Sequence, residues 1–342
     1  MSHFELDYEL LNLTPAHPFT IARGTKETVP NVLVKLTANG ITGFGEAGPN
    51  KRYNETAETV TSFLDNLSDS IFDDVDTARE LSEQLNEVDP TVQSAKTAVE
   101  MAWLDWWGKS QKQPLWKLWD TPSRETPPTS FTIGLDEIDV IQQKVLEAEE
   151  YPILKIKLGT DRDKEIINGI REVSDQIIRV DANEGWTNLE TAKEQIRFLA
   201  GQNVEFIEQP MPSAMHDKMV ELKKWSPLPL IADESFKGDE NMDEIEKAFD
   251  GINIKLMKMG SLVKARSVIE KARNRNLQVM IGCMIESSLG IAAGSLLGTW
   301  ADYVDLDGNL LLAEDPFEGL TLTENKEVRL SDKAGLGVIP KS

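Results

Sequence analysis

Lys155, Lys157, Asp181, Glu208, Asp233, Lys255, Cys283 and the pair Asp305 and Asp307 each close a short β-rich run in this 342-residue chain. From Lys157 to Asp181 is 24 residues, from Asp181 to Glu208 27, from Glu208 to Asp233 25 and from Asp233 to Lys255 22. That step is the length of a strand, a helix and two short loops. Strand ends repeating at it converge on one rim of a parallel barrel, the rim where such barrels keep their active sites. Three carboxylates meeting there repel and raise one another's pKa unless a cation stands between them. Hard oxygen donors without a His or Cys partner favour Mg²⁺, with positions left for water or substrate. A single strand-end acid reads equally well as a helix cap or a solvated loop residue. Three in succession tip the balance to a metal site of Asp181, Glu208 and Asp233.

Lys155-Ile156-Lys157 places two lysines at i and i+2 on one strand face, so inside a barrel both point inward. Lys255 ends the sixth strand, across the barrel from the second, and Lys157 and Lys255 can therefore bracket one carbon from opposite faces. A nearby Mg²⁺ and neighbouring ammonium groups disfavour the charged form of a lysine, which predicts a neutral lysine available as a general base near pH 7. Lys258 reads as a salt-bridging loop residue. Asp305 and Asp307, again at i and i+2, lie too far along to join the three ligands. Two carboxylates without a metal suit a substrate ammonium, with helix capping as the alternative.

The elements that must hold these groups follow from periodicity. Residues 4 to 13 alternate Phe4, Leu6, Tyr8 and Leu10 on one face, and a strand from Val32 to Leu36 turns through Asn39-Gly40 into Ile41 to Glu46, an antiparallel meander. Helical patterns follow at 55–68, 77–88 and 91–110, the last with Val92, Ala95, Val99, Trp103 and Trp106 as core. The Pro, Thr and Ser content of Thr121 to Pro128 marks a linker. Beyond it, eight strand-like runs (130–133, 153–157, 177–181, 204–208, 228–233, 252–255, 277–282 and 303–305) alternate with seven helical ones. An irregular tail from Leu310, carrying Pro316, Gly319, Gly335, Gly337 and Pro340, is expected to pack back on the first domain. The reading is an α/β chain: a (β/α)₇β TIM-like barrel over 121–312, an N-terminal α+β capping domain over 1–120, and a tail over 313–342 that completes the cap.

Hydrophobic residues make up 40% and charged residues 27% of the chain, ordinary for a soluble globular protein. The net charge is −22 and no Lys/Arg-rich stretch stands ready to neutralise phosphates, so nucleic acid is not an expected partner. The opening MSHFELDYELLNL has acids where a signal peptide needs a basic region, and the apolar stretch 281–298 is interrupted by Glu286, so neither a leader nor a membrane span is expected. The single cysteine, Cys283, excludes an intramolecular disulfide and suits a reducing compartment, here the cytoplasm.

These motifs resemble the enolase superfamily, its muconate-lactonising subgroup and, within that, the dipeptide epimerases of the L-Ala-D/L-Glu type, over essentially the whole chain. The resemblance implies one Mg²⁺ per chain on Asp181, Glu208 and Asp233, from the D-x-N, I-E-Q-P and A-D-E-S signatures. It implies Lys157 and Lys255 as the two acid/base groups, Lys155 as a helper on the enolate, and Asp305 and Asp307 as the grip on the dipeptide's α-ammonium. Gly282-Cys283-Met284-Ile285-Glu286 resembles the family's seventh-strand segment, placing Cys283 and Met284 on the substrate, and Thr132 a first-strand residue beside it. The run Pro18-Phe19-Thr20-Ile21-Ala22-Arg23-Gly24 resembles a specificity loop, from which Arg23 or Lys26 would pair with a substrate side-chain carboxylate. The expected reaction is inversion of the α-carbon of the C-terminal residue of a dipeptide. Alternatives are o-succinylbenzoate synthase or muconate cycloisomerase, which do not need Asp305 and Asp307. A Schiff-base aldolase would not need three strand-end acids, and a non-catalytic metal-binding barrel has no use for Lys157 with Lys255. The family also forms symmetric assemblies, so a homo-oligomer is implied, though no segment here shows one.

Overall fold

The computed structural model describes residues 3–22, 24–73 and 75–341. The N-terminal part is a sheet backed by helices. Strand β1 (Glu5–Leu13) is followed by a small hairpin of β2 (Phe19–Ile21) and β3 (Gly24–Lys26), and β1 pairs antiparallel with β4 (Val29–Ala38), which pairs with β5 (Ile41–Ala47). Asn39 and Gly40 both take positive φ, 54° and 72°, the two-residue turn whose twist matches the flanking strands. Helices α1 (Ala57–Asp65), α2 (Ala78–Val88) and α3 (Gln93–Ser110) follow. Helix α3 lies so close on β5 that a Cβ at Gly43 or Gly45 would stand 2.0 or 1.9 Å from the carbonyl oxygens of Ala102 and Ala98. Ala95, Val99 and Trp103 of α3 are buried, as the helical spacing predicts, and Trp106 is half-buried with its indole N–H on the Ala38 carbonyl.

A four-residue helix α4 (Leu115–Leu118) and strand β6 (Glu125–Pro128) lead into the barrel. Its strands are β7 (Phe131–Ile133), β8 (Ile153–Lys157), β9 (Ile177–Asp181), β10 (Val204–Glu208), β11 (Leu230–Ala232), β12 (Gly251–Lys255), β13 (Gln278–Gly282) and β14 (Tyr303–Asp305), all parallel and in chain order around the sheet. A parallel bridge between Thr129 and Val304 joins the last strand to the first, and the Leu306 N–H donates to Thr129 Oγ1 at 2.9 Å. The seven crossovers carry α5 (Ile138–Glu147), α6 (Asp163–Arg171), α7 (Leu189–Leu199), α8 (His216–Trp225), α9 (Met242–Ala248), the short α10 (Leu256–Met259) with α11 (Leu262–Arg273), and α12 (Ser288–Gly298). Buried on both faces, β8 and β12 have no exposed residue, as parallel barrel strands require. No helix among the described residues is long and apolar enough to cross a membrane.

The run read as a linker differs from expectation. Glu125–Pro128 pairs antiparallel with β17 (Glu327–Arg329) of the tail, in a sheet completed by β16 (Thr321–Leu322), after a first tail strand β15 (Phe317–Glu318) that pairs with β18 (Ile339–Pro340). Strand β6 is an edge of that sheet, the place where a strand tolerates Pro127 and Pro128 because no ladder donor is needed on the outer side. The tail also reaches the first sheet's helices. The Leu336 N–H donates to Asp105 Oδ1 at 2.8 Å, the Leu115 N–H to the Gly335 carbonyl at 2.9 Å, and the Trp116 indole to the Ser331 carbonyl at 3.0 Å.

Candidate active site

Successive barrel strands bring their C-terminal ends to one rim. Asp181 and Glu208 are the last residues of β9 and β10, and Asp233 stands one past β11. Backbone bonds lock these ends in step: Leu158 N–H on the Asp181 carbonyl at 2.9 Å, Ala182 N–H on that of Glu208 at 3.1 Å, and Gln209 N–H on that of Ile231 at 2.9 Å. One carboxylate oxygen from each of Asp181, Glu208 and Asp233 lies within 4.8 Å of the others, and all three residues are buried. Opposite oxygens of a Mg²⁺ octahedron with ordinary bonds lie ~4.2 Å apart. Three buried hard donors at this spacing, from separate strands and with no sulfur or imidazole among them, fit a Mg²⁺ ion.

Each carboxylate of the cluster also meets a lysine. Lys157 Nζ is 2.7 Å from Asp181 Oδ2, Lys255 Nζ 2.9 Å from Asp233 Oδ2, and Lys155 Nζ 2.7 Å from Glu208 Oε2. These contacts and burial compete in setting the charge of the carboxylates. Burial opposes the charge on Asp181, but Lys157 and Lys155 outweigh it and bring its pKa down to about 2. Burial likewise opposes the charge on Asp233, yet Lys255 and Lys258 hold its pKa well below the usual carboxylate value. Glu208 goes the other way, raised by burial and by the charge of Asp181. Burial disfavours the ammonium of Lys255, yet Asp233 and Glu208 overcome it and hold its pKa well above the ordinary lysine value. The neutral lysine expected from the sequence therefore runs against these carboxylates. A cation sharing them acts in the opposite direction.

Lys258 is no loop residue. It lies in α10, buried, with its ammonium on Asp233 Oδ1 at 2.7 Å and on the carbonyls of Asp233, Phe236 and Asn253 at 2.8, 2.9 and 3.1 Å. Its donors are spent on holding the Asp233 loop.

Asp305 and Asp307 come together with this group at the end of β14. Asp305 Oδ2 is 2.6 Å from Lys155 Nζ and its Oδ1 accepts from Ser130 Oγ at 2.7 Å. Asp307 Oδ2 accepts the backbone N–H of Thr132 at 2.6 Å. Burial and the neighbouring charge of Asp305 push the Asp307 carboxyl up to about 7, whereas Lys155, working against burial, lowers that of Asp305.

Above these groups lies a cavity of about 680 Å³. From the barrel it is lined by Thr132, Lys155, Lys157, Asn183, Asp233, Lys255, Cys283, Met284, Asp305 and Asp307, and from the N-terminal part by Phe19, Ile21, Lys26, Asn50, Arg52 and Tyr53 among others. The Phe19 ring centre stands 6.0 Å from Lys157 Nζ. Arg23 lies outside the described residues. The structure thus brings together every other residue singled out from the sequence.

The match to known families decides what this arrangement belongs to. Residues 8–119 match the mandelate racemase/muconate lactonizing enzyme N-terminal domain, and residues 139–342 match the enolase C-terminal domain-like family. This chain belongs to the enolase superfamily. Among its relatives, an L-Ala-D/L-Glu epimerase from Bacteroides thetaiotaomicron is 39% identical over 94% of this chain and 84% of its own length. The substrate-liganded L-Ala-D/L-Glu epimerase of Bacillus subtilis superposes with a TM-score of 0.92 over 100% of both chains at 27% identity. A dipeptide epimerase from Enterococcus faecalis, solved with Mg and L-Leu-L-Tyr, gives 0.88 over 99% of both chains at 28% identity.

Three further residues support this enolase-superfamily site, Ser130 and Asn253 outside the motifs and Gln209 inside the I-E-Q-P run, where only Glu208 was given a role. Ser130 holds Asp305, Asn253 Nδ2 donates to Glu208 Oε1 at 2.7 Å, and Gln209 Oε1 accepts the N–H groups of Asp233 and Ser235, each at 3.0 Å. Ser130 and Asn253 had a readable signal in their spacing, since each sits two positions before an inward residue, Thr132 or Lys255, on the same strand face. Gln209 had none. Its φ of 37° turns the chain just past Glu208, a conformation that nothing in its type announces.

Proposed function

We propose that this chain is a Mg²⁺-dependent dipeptide epimerase that inverts the α-carbon of a C-terminal residue, with L-Ala-D/L-Glu as the preferred class. The observation that carries the reading is the placement of Lys157 and Lys255 at the ends of β8 and β12, opposite one another in the ring of eight strands, with Asp181, Glu208 and Asp233 between them. The relatives named epimerases and the Mg-bound structure of one of them support it.

Asp181, Glu208 and Asp233 would hold the Mg²⁺, which when bound supplies Lewis-acid neutralisation of the substrate's C-terminal carboxylate. Lys157 Nζ and Lys255 Nζ face the α-carbon from two sides. One accepts its proton as a free amine while the other, an ammonium, delivers a proton to the opposite face, and the roles exchange in the reverse direction. Lys155, an ammonium fixed between Glu208 and Asp305, offers positive charge to the oxygen where negative charge develops. Asp305 and Asp307 receive the substrate ammonium, with Thr132, Cys283 and Met284 lining the path to them. Lys26, in the cavity wall contributed by β3, is the described cation we assign to a side-chain carboxylate of the substrate. Residues 1–120 would then act as the cap, 121–312 as the barrel and 313–342 as the tail that ties them, and the lone Cys283, which allows no intramolecular disulfide, supports a cytoplasmic location.

A dipeptide library incubated with enzyme and Mg²⁺ and read by chiral chromatography with mass spectrometry tests the reading. Epimerisation at the C-terminal residue, strongest for Ala-Glu, is the expected result. Inert dipeptides across the library overturn it.

A further inference from the structure

The cap turn above the cavity is tied to the barrel by a linkage that the mechanism above leaves unused. A 3₁₀ turn at Lys51–Tyr53 is capped by Asn50, whose side chain accepts the Arg52 N–H at 3.0 Å, and it ends at Asn54 in the left-handed region, φ 61°. From this turn Arg52 crosses to the barrel. Its Nε donates to Glu184 Oε2 at 3.1 Å and its Nη2 to Glu184 Oε1 at 3.0 Å, a two-pronged bond, and Nη2 also reaches Ser213 Oγ at 3.3 Å. The Ser213 N–H donates to Glu184 Oε1 at 2.8 Å. One carboxylate thus joins three loops: the cap turn, the segment after β9 and the segment after β10.

Two further facts separate this from an ordinary surface pair. The Glu184 side chain is only 13% exposed, against 38% for Arg52, so the carboxylate end of the pair is largely shielded from water. Glu184 and its neighbour Asn183 both hold left-handed φ, 68° and 44°, three and two residues past Asp181. Non-glycine residues rarely take two such backbone conformations in succession unless the surroundings fix them. Here the Glu184 N–H on the Gln209 carbonyl at 2.9 Å and the Arg52 fork supply that restraint.

We propose that Arg52, Glu184 and Ser213 form a latch that holds the cap turn over the barrel mouth, making Arg52 and Glu184 positioning residues for substrate closure. They act through the turn itself, where Asn50, Arg52 and Tyr53 line the cavity together. The proposal rests on the epimerase reading for what the closed cavity contains, but the latch itself is a property of the protein without substrate. Breaking it loosens the turn, weakens retention of a bound dipeptide and leaves the reacting groups where they are. The loss therefore appears in KM more than in kcat.

Arg52→Ala, Glu184→Gln and the double variant, each with Mg²⁺, test this by hydrogen exchange of residues 49–56 and by steady-state kinetics. The expected result is faster exchange of that turn in both single variants, KM raised about tenfold with kcat changed less than about threefold, and a double variant no worse than either single one. Arg52→Lys, which keeps the charge and loses the fork, falls between. Unchanged exchange of the turn in Arg52→Ala, or additive losses in the double variant, overturns the latch. Hydrogen exchange needs no turnover, so inert dipeptides would count against the function alone, while the exchange rates of the turn would still decide for or against the latch.

Discussion

Lys157 and Lys255 end strands that stand four places apart in a ring of eight, which sets their side chains on opposite sides of the barrel axis. Each is buried and each contacts a different carboxylate of the acidic cluster, Asp181 for the first and Asp233 for the second. A tetrahedral α-carbon between two such amines can lose its proton to one side, become planar, and gain a proton from the other. This is the geometry an inversion needs.

Removing either amine should therefore stop inversion without dismantling the barrel. Lys157→Ala and Lys255→Ala are each expected to lower epimerisation by about 10³-fold or more, the scale of a lost general acid or base. Because the other lysine survives, each variant should still exchange the α-proton of one epimer. Proton NMR of L,L and L,D dipeptides in D₂O distinguishes the two variants by which epimer exchanges.

The Asp307 carboxyl, raised to about 7 by burial and by Asp305, gives a pH dependence with a defined sign. Below pH 7 it is neutral and cannot pair with a substrate ammonium, and above it the charge is present. kcat/KM should rise through an apparent pKa near 7 in the wild-type enzyme. Asp307→Asn should remove that limb and lower kcat/KM at pH 8 by about 10²-fold, on the scale of a lost charge-assisted bond.

Glu100 predicts stability instead of rate. It projects from α3 to the start of α11, where its Oε1 accepts the Val263 N–H at 3.1 Å, and burial raises its pKa from 4.5 to about 7. The folded protein then binds this proton more tightly than the unfolded chain. The stabilising contribution is complete below about pH 4.5 and is lost as pH rises through about 7. Glu100→Gln, which keeps the acceptor, should flatten the decline of Tm between pH 5 and 8, with up to about 3 kcal/mol gained at pH 8. Parallel pH profiles in the two proteins would contradict it.

Metal binding should be visible in stability as well as rate. A ligand at a hundred times its Kd adds about 2.7 kcal/mol to the folded state. Mg²⁺ titration of chelator-treated protein should raise Tm in the wild type and much less in Glu208→Gln, which replaces one of the three carboxylate donors with a neutral amide. Chelation should abolish epimerisation, and added Mg²⁺ should restore it.

Much of this was legible in the sequence for a physical reason. A parallel barrel repeats one unit, so apolar runs ending in Asp181, Glu208, Asp233 and Lys255 at near-constant spacing reveal both the fold and the rim. What stayed hidden depended on conformation or distance. Glu125–Pro128 reads as a linker because its partner, Glu327–Arg329, lies some two hundred residues away and its prolines are allowed only by an edge position. Lys258 reads as a salt-bridging loop residue because its four acceptors, three of them backbone carbonyls, come from segments that only the fold brings together. The upward shift of Lys255 likewise follows from distances to Asp233 and Glu208, which residue types do not contain.

The most direct test of the two-base account is the origin of the proton in the inverted product. With Mg²⁺ and L-Ala-L-Glu in D₂O, mass spectrometry and NMR of the earliest L-Ala-D-Glu should show one deuterium at the glutamyl α-carbon in every molecule formed, because the delivering ammonium has equilibrated with solvent. Early product that retains its original hydrogen means a single group removes and returns the same proton, and Lys157 and Lys255 then do not work as a pair.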